Sequence, residues 1–150
     1  MNKKRPILIV EDCEEDIDLL EIAIRKAKIT AQTQVVRNGQ EAIDYLHGLG
    51  KFSDRQSYPF PGVIFLDLKM PRLNGFDVLE DLKGHEHCKI VPVMLLTASA
   101  LDEDVIRAYQ LGANCYMQKP ATLEELVALV DLAFRFWGAC VLPPVLPGCE

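Results

Sequence analysis

The sequence has no apolar run that approaches the roughly 20 residues needed to cross a bilayer. It has no Cys-x-x-Cys pair among its five scattered cysteines, which argues against a cysteine-ligated zinc site and a disulfide-stapled secreted scaffold. Basic residues are in deficit: 16 Lys and Arg against 22 Asp and Glu give a net charge of −6. Nucleic-acid binding requires the opposite balance. We therefore expect a cytoplasmic protein with no nucleic-acid partner and no membrane association.

The chain does have the length and composition of one globular domain: 150 residues, 49% hydrophobic and 25% charged. Short, nearly continuous apolar runs alternate with longer amphipathic segments, and such runs suit strands buried on both faces of a parallel sheet. The predicted strands are 7–10, 34–36, 63–66, 91–96 and 115–117. The predicted helices are 14–28, 39–47, 76–83, 102–111 and 123–136. This alternation predicts an α/β fold with a doubly wound five-stranded parallel sheet.

The rest of the chain is expected to be irregular. We predict an N-terminal tail over 1–5, one domain over 6–137, and an extended tail over 138–150, because three prolines in that tail oppose a helix. No output domain is expected. Residues 48–61 are predicted to form a surface loop, and Cys149 is expected to be the most exposed cysteine. The three histidines, His47, His85 and His87, are predicted to be surface residues rather than metal ligands.

Polar side chains follow four of the predicted strands at the point where each strand ends. Glu11 and Asp12 follow the first strand, Asp67 the third, Thr97 the fourth and Lys119 the fifth. The carboxyl ends of parallel strands share one edge of the sheet, which is where ligands bind in open α/β folds. The sequence therefore predicts a site at this edge that holds three carboxylates, one hydroxyl and one lysine.

With these motifs the chain resembles the response-regulator receiver domain of two-component signalling over residues 5–136. The resemblance is carried by the segments Ile-Leu-Ile-Val-Glu-Asp (7–12), Val-Ile-Phe-Leu-Asp-Leu-Lys-Met-Pro-Arg-Leu-Asn-Gly (63–75), Leu-Leu-Thr-Ala (95–98), Leu-Gly-Ala-Asn-Cys-Tyr (111–116) and Gln-Lys-Pro (118–120). It implies a flavodoxin-like sheet with strand order 2-1-3-4-5, in a signalling protein rather than an enzyme. The chain looks most like the stand-alone regulators partnered with phytochrome-type sensor histidine kinases.

The resemblance also implies a chemistry for the strand-end residues. Asp67 would accept a phosphoryl group from a phosphohistidine of the kinase. Mg²⁺, for which Mn²⁺ or Ca²⁺ can substitute, would neutralise the two approaching anions. Asp12, Asp67 and the backbone carbonyl of Lys69 would bind the ion directly, and Glu11 would bind it through a water.

Three further residues receive roles from the same resemblance. Lys119 would pair with a phosphoryl oxygen, and a cis peptide bond before Pro120 is expected to aim it inward. Thr97 would offer its hydroxyl to the phosphoryl group, and Tyr116 would be the aromatic switch that rotates inward as Thr97 moves.

Two residues at the mouth of the site are expected to set the phosphoryl lifetime. Lys69 and Ser99 lie two residues after Asp67 and Thr97 respectively. A long cationic side chain at 69 would lie over the phosphoryl oxygens and hinder the attacking water.

Two surfaces are predicted to bind other proteins. Leu19 and Ile22 lie opposite the core-facing stripe of the first helix, beside the acidic pair, and are predicted to dock the kinase. Phe134, Phe136 and Trp137 end the last helix and are predicted to build a homodimer, because a lone domain of this size would struggle to bury them all.

Two other functions remain open at this point. An aspartyl-phosphate phosphohydrolase would use Asp-x-Asp, in which the second acid protonates the leaving group, but Lys69 occupies that position. A receiver-like module that binds partners without phosphorylation is the other alternative. A nucleotide or flavin binder is disfavoured, because the acidic run 11–16 stands where a phosphate-binding loop is needed.

Overall fold

The computed structural model describes residues 5–149; residues 1–4 of the expected N-terminal tail, and Glu150, lie outside the described residues. Strands and helices alternate along the chain as predicted, with ends that shift by no more than three residues. The elements are β1 (Ile7–Val10), α1 (Glu14–Lys26), β2 (Thr33–Val36), α2 (Gly39–His47), β3 (Val63–Leu66), α3 (Gly75–Lys83), β4 (Val93–Thr97), α4 (Asp102–Gln110), β5 (Cys115–Gln118) and α5 (Leu123–Ala139). Within residues 5–149, no helix combines the length and apolar character needed to cross a bilayer.

The five strands form one parallel sheet in the order β2-β1-β3-β4-β5, which confirms the expected topology. Side chains alternate between its faces, because successive residues of a strand point in opposite directions. Leu8 and Val10 of β1 pack in the core that includes residues of α2 and α3, whereas Ile7 and Ile9 pack with residues of α1 and α5. Burial on both faces explains why the central strands are continuous apolar runs.

The loop between α2 and β3 is packed against the domain, so its prediction as a surface loop is wrong in part. It contains a short 3₁₀ helix (Gly50–Ser53), and Phe52 and Phe60 are buried in the core. Tyr45 donates a hydrogen bond from its hydroxyl to the carbonyl of Pro59 at 2.7 Å, and Arg55 donates to the carbonyl of Tyr45 at 2.7 Å. The aromatic rings bury enough apolar surface to fix a segment rich in turn-forming residues.

The C-terminal segment folds back onto the domain. Helix α5 continues to Ala139, past the expected boundary at 137. Residues 140–149 form no helix or strand, as expected, but the Arg5 guanidinium donates to the carbonyl of Pro143 at 2.6 Å. Cys149 is 3% exposed and lies in the core with Cys88, so the expectation of an exposed Cys149 is wrong. The small apolar thiol is favoured in this buried position.

Candidate functional site

The carboxyl edge of the sheet brings the predicted acidic residues together. Carboxylate oxygens of Glu11, Asp12 and Asp67 lie within 4.8 Å of one another. Glu11 and Asp67 are buried, whereas Asp12 is exposed. The register explains the convergence, because Val10 of β1 pairs with Leu66 of β3, and the acids follow those paired residues directly.

The loop after β3 is held in place by two close backbone approaches. The Asp67 amide donates to the carbonyl of Val10 at 3.0 Å, and the Gly75 amide donates to the carbonyl of Leu68 at 3.2 Å. A Cβ atom at Gly75 would overlap the carbonyl oxygen of Asp67, and one at Gly39 would overlap the carbonyl oxygen of Leu73. Glycine is therefore required at both positions so that the loop can present Asp67.

Lys119 is the cationic centre of the site. Its Nζ donates to Glu11 Oε2 and to Asp16 Oδ2, each at 2.7 Å, and lies 3.6 Å from Asp67 Oδ2. Burial opposes the charge, but the hydrogen bonds to Asp16 and Glu11 outweigh it and hold the pKa of Lys119 above its ordinary value. Burial also raises the pKa of Glu11, the bond from Lys119 limits that rise, and the neighbouring Asp67 adds to it.

The prediction of a cis bond before Pro120 is wrong. No peptide bond in the described part of the chain is cis. The trans form is the more stable one for any peptide bond before proline, by about 0.5–1 kcal/mol. Lys119 nevertheless points into the acidic cluster, because its long side chain is drawn there by Glu11 and Asp16.

Thr97 carries a hydroxyl with no hydrogen-bond partner. The residue ends β4 and is 0% exposed, and within residues 5–149 no atom accepts from or donates to its Oγ1. A buried polar atom without a partner is unfavourable by about 1–3 kcal/mol. The Thr97 hydroxyl is therefore free to hydrogen-bond a ligand at this edge of the sheet.

Tyr116 is tethered to the loop after β4. Its hydroxyl donates to the carbonyl of Ser99 at 2.9 Å, and its backbone amide donates to the hydroxyl of Tyr109 at 3.1 Å. The ring is partly buried against the core on the α2–α4 face of the sheet. Movement of Tyr116 is therefore coupled to the loop that contains Ser99.

The two residues expected to tune phosphoryl lifetime meet at a common partner that the sequence did not reveal. Asp104, in the first turn of α4, accepts from the Ser99 hydroxyl at 2.5 Å and lies 3.5 Å from Lys69 Nζ. The hydrogen bond from Ser99 lowers the pKa of Asp104, and the charge of Lys69 also lowers it. Lys69 thus points toward α4.

The predicted docking and dimer residues are divided between the core and the surface. Leu19 and Ile22 on α1 are partly exposed, and Leu19 also packs against the core. Phe134 and Trp137 pack against the core on the α1–α5 face, whereas Phe136 is 62% exposed. The exposed large apolar side chains of α4, α5 and the residue before α4 are Leu101, Ile106, Tyr109, Leu132 and Phe136.

The oxygen-rich donor set fits a hard divalent cation. Three carboxylates converge at the edge of the sheet, and two of them are buried beside a single lysine. Mg²⁺ and Mn²⁺ prefer oxygen ligands of this kind. A flavodoxin-like sheet with an aspartate pocket, a buried threonine and an inward lysine is the arrangement of the receiver class.

Comparison with known proteins agrees with this class. The family described as the response regulator receiver domain matches residues 7–131, so the chain belongs to that family. It is 33% identical over 143 residues to the response regulator Rcp1 of Synechocystis sp., an alignment that covers 95% of each protein.

Solved structures give the same result. The structure of the phosphorylated cyanobacterial phytochrome response regulator RcpA superposes with a TM-score of 0.85 at 33% identity, covering 93% of this chain and 99% of that one. The Mn²⁺-bound form of Rcp1 superposes with a TM-score of 0.83 at 33% identity, with the same coverage. The chain is therefore a response-regulator receiver similar to stand-alone, phytochrome-associated regulators.

Proposed function

We propose that this protein is a response regulator whose receiver domain accepts a phosphoryl group on Asp67 from a phytochrome-type sensor histidine kinase. The observation that supports this most strongly is the unpartnered hydroxyl of Thr97, buried at the same edge as Asp67 and Lys119. A solvated loop acid would need neither a buried lysine nor a buried hydroxyl beside it. The site is therefore built to receive an anion.

The reaction is a transfer between two side chains. An Asp67 carboxylate oxygen attacks the phosphorus of the kinase phosphohistidine, a P–O bond forms, and the P–N bond breaks. The electron pair of that bond returns to the imidazole, and Asp67 becomes an acyl phosphate. Lys119, already 3.6 Å from Asp67 Oδ2, pairs with a phosphoryl oxygen. Because the accepting side chain is itself the product of the transfer, the protein acts as a signalling switch rather than as an enzyme.

A divalent cation is required because the carboxylate and the phosphoryl group are both anionic. Asp12, Asp67 and the backbone carbonyl of Lys69 would hold Mg²⁺ directly, and Glu11 would act through a water. The bound ion would neutralise charge on the phosphoryl oxygens. The solved Mn²⁺-bound form of Rcp1 supports a divalent site in this group of proteins, and Ca²⁺ is a further proposed substitute.

The phosphorylated state is read through Thr97 and Tyr116. The Thr97 hydroxyl donates to a phosphoryl oxygen and so gains the hydrogen-bond partner that it lacks in the unphosphorylated protein. Movement of the loop that includes Ser99 then changes the hydrogen bond from the Tyr116 hydroxyl to Ser99. Because Tyr116 lies in the edge strand β5, this change reaches the surface formed by α4, β5 and α5.

The kinase docks on α1 beside the acidic cluster. Leu19 and Ile22 are partly exposed there, on the helix that also supplies Asp16 to Lys119. The exchange is proposed to take place in the cytoplasm, and the five free cysteines agree with a reducing compartment. Neither nucleic acid nor a membrane is a proposed partner.

A second copy of the chain is the proposed partner of the α4–β5–α5 surface. Leu132 and Phe136 of α5 expose 66% and 62% of their surfaces, and α4 adds Ile106 and Tyr109. Phe134 and Trp137 act indirectly, because they fix α5 against the core.

Replacing Phe136 with aspartate is expected to convert the dimer to a monomer in sedimentation, whereas Leu49→Asp, at an exposed leucine after α2, leaves the dimer intact. A wild-type protein that stays monomeric at high micromolar concentration, phosphorylated or not, would contradict dimer formation.

Phosphotransfer from the kinase tests the proposed function as a whole. An autophosphorylated phytochrome-type histidine kinase is mixed with the wild-type chain or with Asp67→Asn, and the label on each protein is followed. We expect the wild type to take up the label within the mixing time. We expect the Asp67→Asn variant to stay unlabelled. Labelling of both proteins would place the acceptor elsewhere, and labelling of neither would favour a module that works without phosphorylation.

A further inference from the structure

All three histidines of the chain gather between the ends of α2 and α3. The sequence predicted them to be surface residues rather than metal ligands. The rings of His47 and His85 have centroids 4.3 Å apart, and His87 has a ring nitrogen within 4.8 Å of one in His47. A carboxylate is also present: Asp81 Oδ2 lies 2.6 Å from Nε2 of His47. The histidines are therefore accompanied by a carboxylate that the spacing of the sequence does not reveal.

The fold explains why these residues meet. His47 is the last residue of α2, Asp81 lies in the last turn of α3, and His85 lies two residues after the end of α3. Both helices cover the same face of the sheet, and both end at the edge opposite Asp67, since each runs antiparallel to the strand before it. Two helix C-termini point their partial negative charge at this place, which favours a bound cation.

The donor atoms are nearly close enough for one metal ion. One ring nitrogen of His47, one of His85 and a carboxylate oxygen of Asp81 all lie within 4.8 Å of one another. Tetrahedral Zn²⁺ with bonds of about 2.0–2.1 Å needs its donors about 3.4 Å apart. Side-chain rotations that move the donor atoms by about 1 Å would bring them to this separation. His47 and Asp81 are mostly buried and already oriented, and His85 borders solvent.

We propose that His47, Asp81 and His85 form a binding site for Zn²⁺, with a fourth position open to water. Zinc accepts both imidazole nitrogen and carboxylate oxygen, whereas Mg²⁺ binds oxygen and disfavours the two imidazoles, so this site and the acidic cluster select different ions. The ion joins the end of α2 to the end of α3.

The outer contacts of the site agree with metal ligation. His85 Nδ1 donates to the backbone carbonyl of Asp81 at 2.7 Å. A carbonyl oxygen only accepts hydrogen bonds, so Nδ1, which also lies 3.9 Å from Asp81 Oδ2, carries the proton, and the ring must turn to bring the lone pair of Nε2 to the ion. A histidine ligand typically donates its other ring N–H to a carbonyl or carboxylate in this way.

A second grouping at the same place, His47 with His87 and Cys88, is less suited to zinc. Cys88 is almost completely buried, and burial raises the pKa of its thiol to about 12. Zinc binds the thiolate, so a thiol that resists ionisation is a poor ligand. The proposed set therefore excludes Cys88 and does not depend on His87.

Calorimetric titration of the full chain with zinc chloride, in saturating Mg²⁺ to occupy the acidic cluster, tests the site. One equivalent of Zn²⁺ is expected to bind the wild type, and His85→Gln or Asp81→Asn is expected to weaken binding at least tenfold. His87→Gln is the matched control and is expected to bind as the wild type does. Zinc at about 100 times its Kd is also expected to raise the Tm of the wild type by about 5–10 °C.

Circular dichroism melts without zinc show whether each variant is folded, and His85→Gln alters a side chain that is half exposed. Wild-type protein that binds no zinc at micromolar concentration would overturn the proposal. Full binding by folded His85→Gln and Asp81→Asn would also overturn it. Loss of binding in His87→Gln with retention in His85→Gln would assign the ion to the other grouping and reject the proposed one.

Discussion

Replacing Thr97 with valine tests the role of the buried hydroxyl. Valine has nearly the shape of threonine, so Thr97→Val removes the unpartnered Oγ1 without opening a cavity. An unsatisfied buried hydroxyl costs about 1–3 kcal/mol, and we expect the free energy of unfolding of the unphosphorylated protein to rise by about 1–2 kcal/mol. With a urea m-value of about 2 kcal/mol/M, the unfolding midpoint moves up by about 0.5–1 M.

Phosphorylation should cancel or reverse this difference in stability. A hydrogen bond to a charged acceptor contributes about 1.5–3 kcal/mol, and only the wild type can donate one from position 97. With Mg²⁺ and a small phosphodonor present throughout the urea series, we expect Thr97→Val to be equal to or less stable than the wild type. Thr97→Ser is the control, because it keeps the hydroxyl and loses one methyl group, which lowers stability by about 1 kcal/mol in both states.

Two results would refute this reasoning. A Thr97→Val variant that is less stable than the wild type without phosphate would mean that the hydroxyl already has a partner. An equal gain in stability with and without phosphate would mean that the hydroxyl never meets the phosphoryl group.

Three further predictions concern the metal, the phosphoryl lifetime and the kinase. Chelation of the divalent ion, or Asp12→Ala, should abolish phosphate gain while the protein stays folded; retained phosphorylation in either case would contradict the role of the cation. In the metal-free protein, Asp12→Ala should raise the Tm, because it removes one of three mutually repelling carboxylates. Lys69→Ala should shorten the acyl-phosphate half-life by about threefold, which corresponds to the loss of one exposed ion pair. Asp104→Asn should lengthen the half-life, because it frees Lys69 from its partner on α4. Unchanged half-lives would show that the lysine acts elsewhere. Leu19→Glu should slow transfer from the kinase by about tenfold, or ~1.4 kcal/mol, but leave small-donor phosphorylation intact; equal loss in both assays would argue against docking on α1.

The sheet and the acidic cluster were predictable because both depend on local sequence. Continuous branched apolar runs indicated strands buried on both faces, and the site residues follow those strands immediately, as Asp67 follows Leu66. Two contacts were missed because they come from helices: Asp16 binds Lys119, and Asp104 binds Ser99. Both acids lie in first turns of helices, where an acidic residue is ordinarily explained by the helix dipole.

Features that join distant parts of the chain could not be predicted. His47 and Asp81 are 34 residues apart, and only the packing of α2 against α3 brings them into contact. The burial of Cys149 depends on a segment without regular structure that crosses the molecule to reach Cys88. No periodicity marks such a segment, because its position is fixed by the surface it covers.

Covalent phosphorylation of Asp67 tests the central claim most directly. The chain is incubated with Mg²⁺ and a small phosphodonor, and its intact mass and its borohydride-trapped peptides are measured beside those of the Asp67→Asn variant. We expect the wild type to gain the mass of one phosphoryl group, mapped to Asp67, and the variant to gain none. A wild type that gains no phosphoryl group, or a variant that gains one equally, would contradict the assignment of Asp67 as the phosphoacceptor.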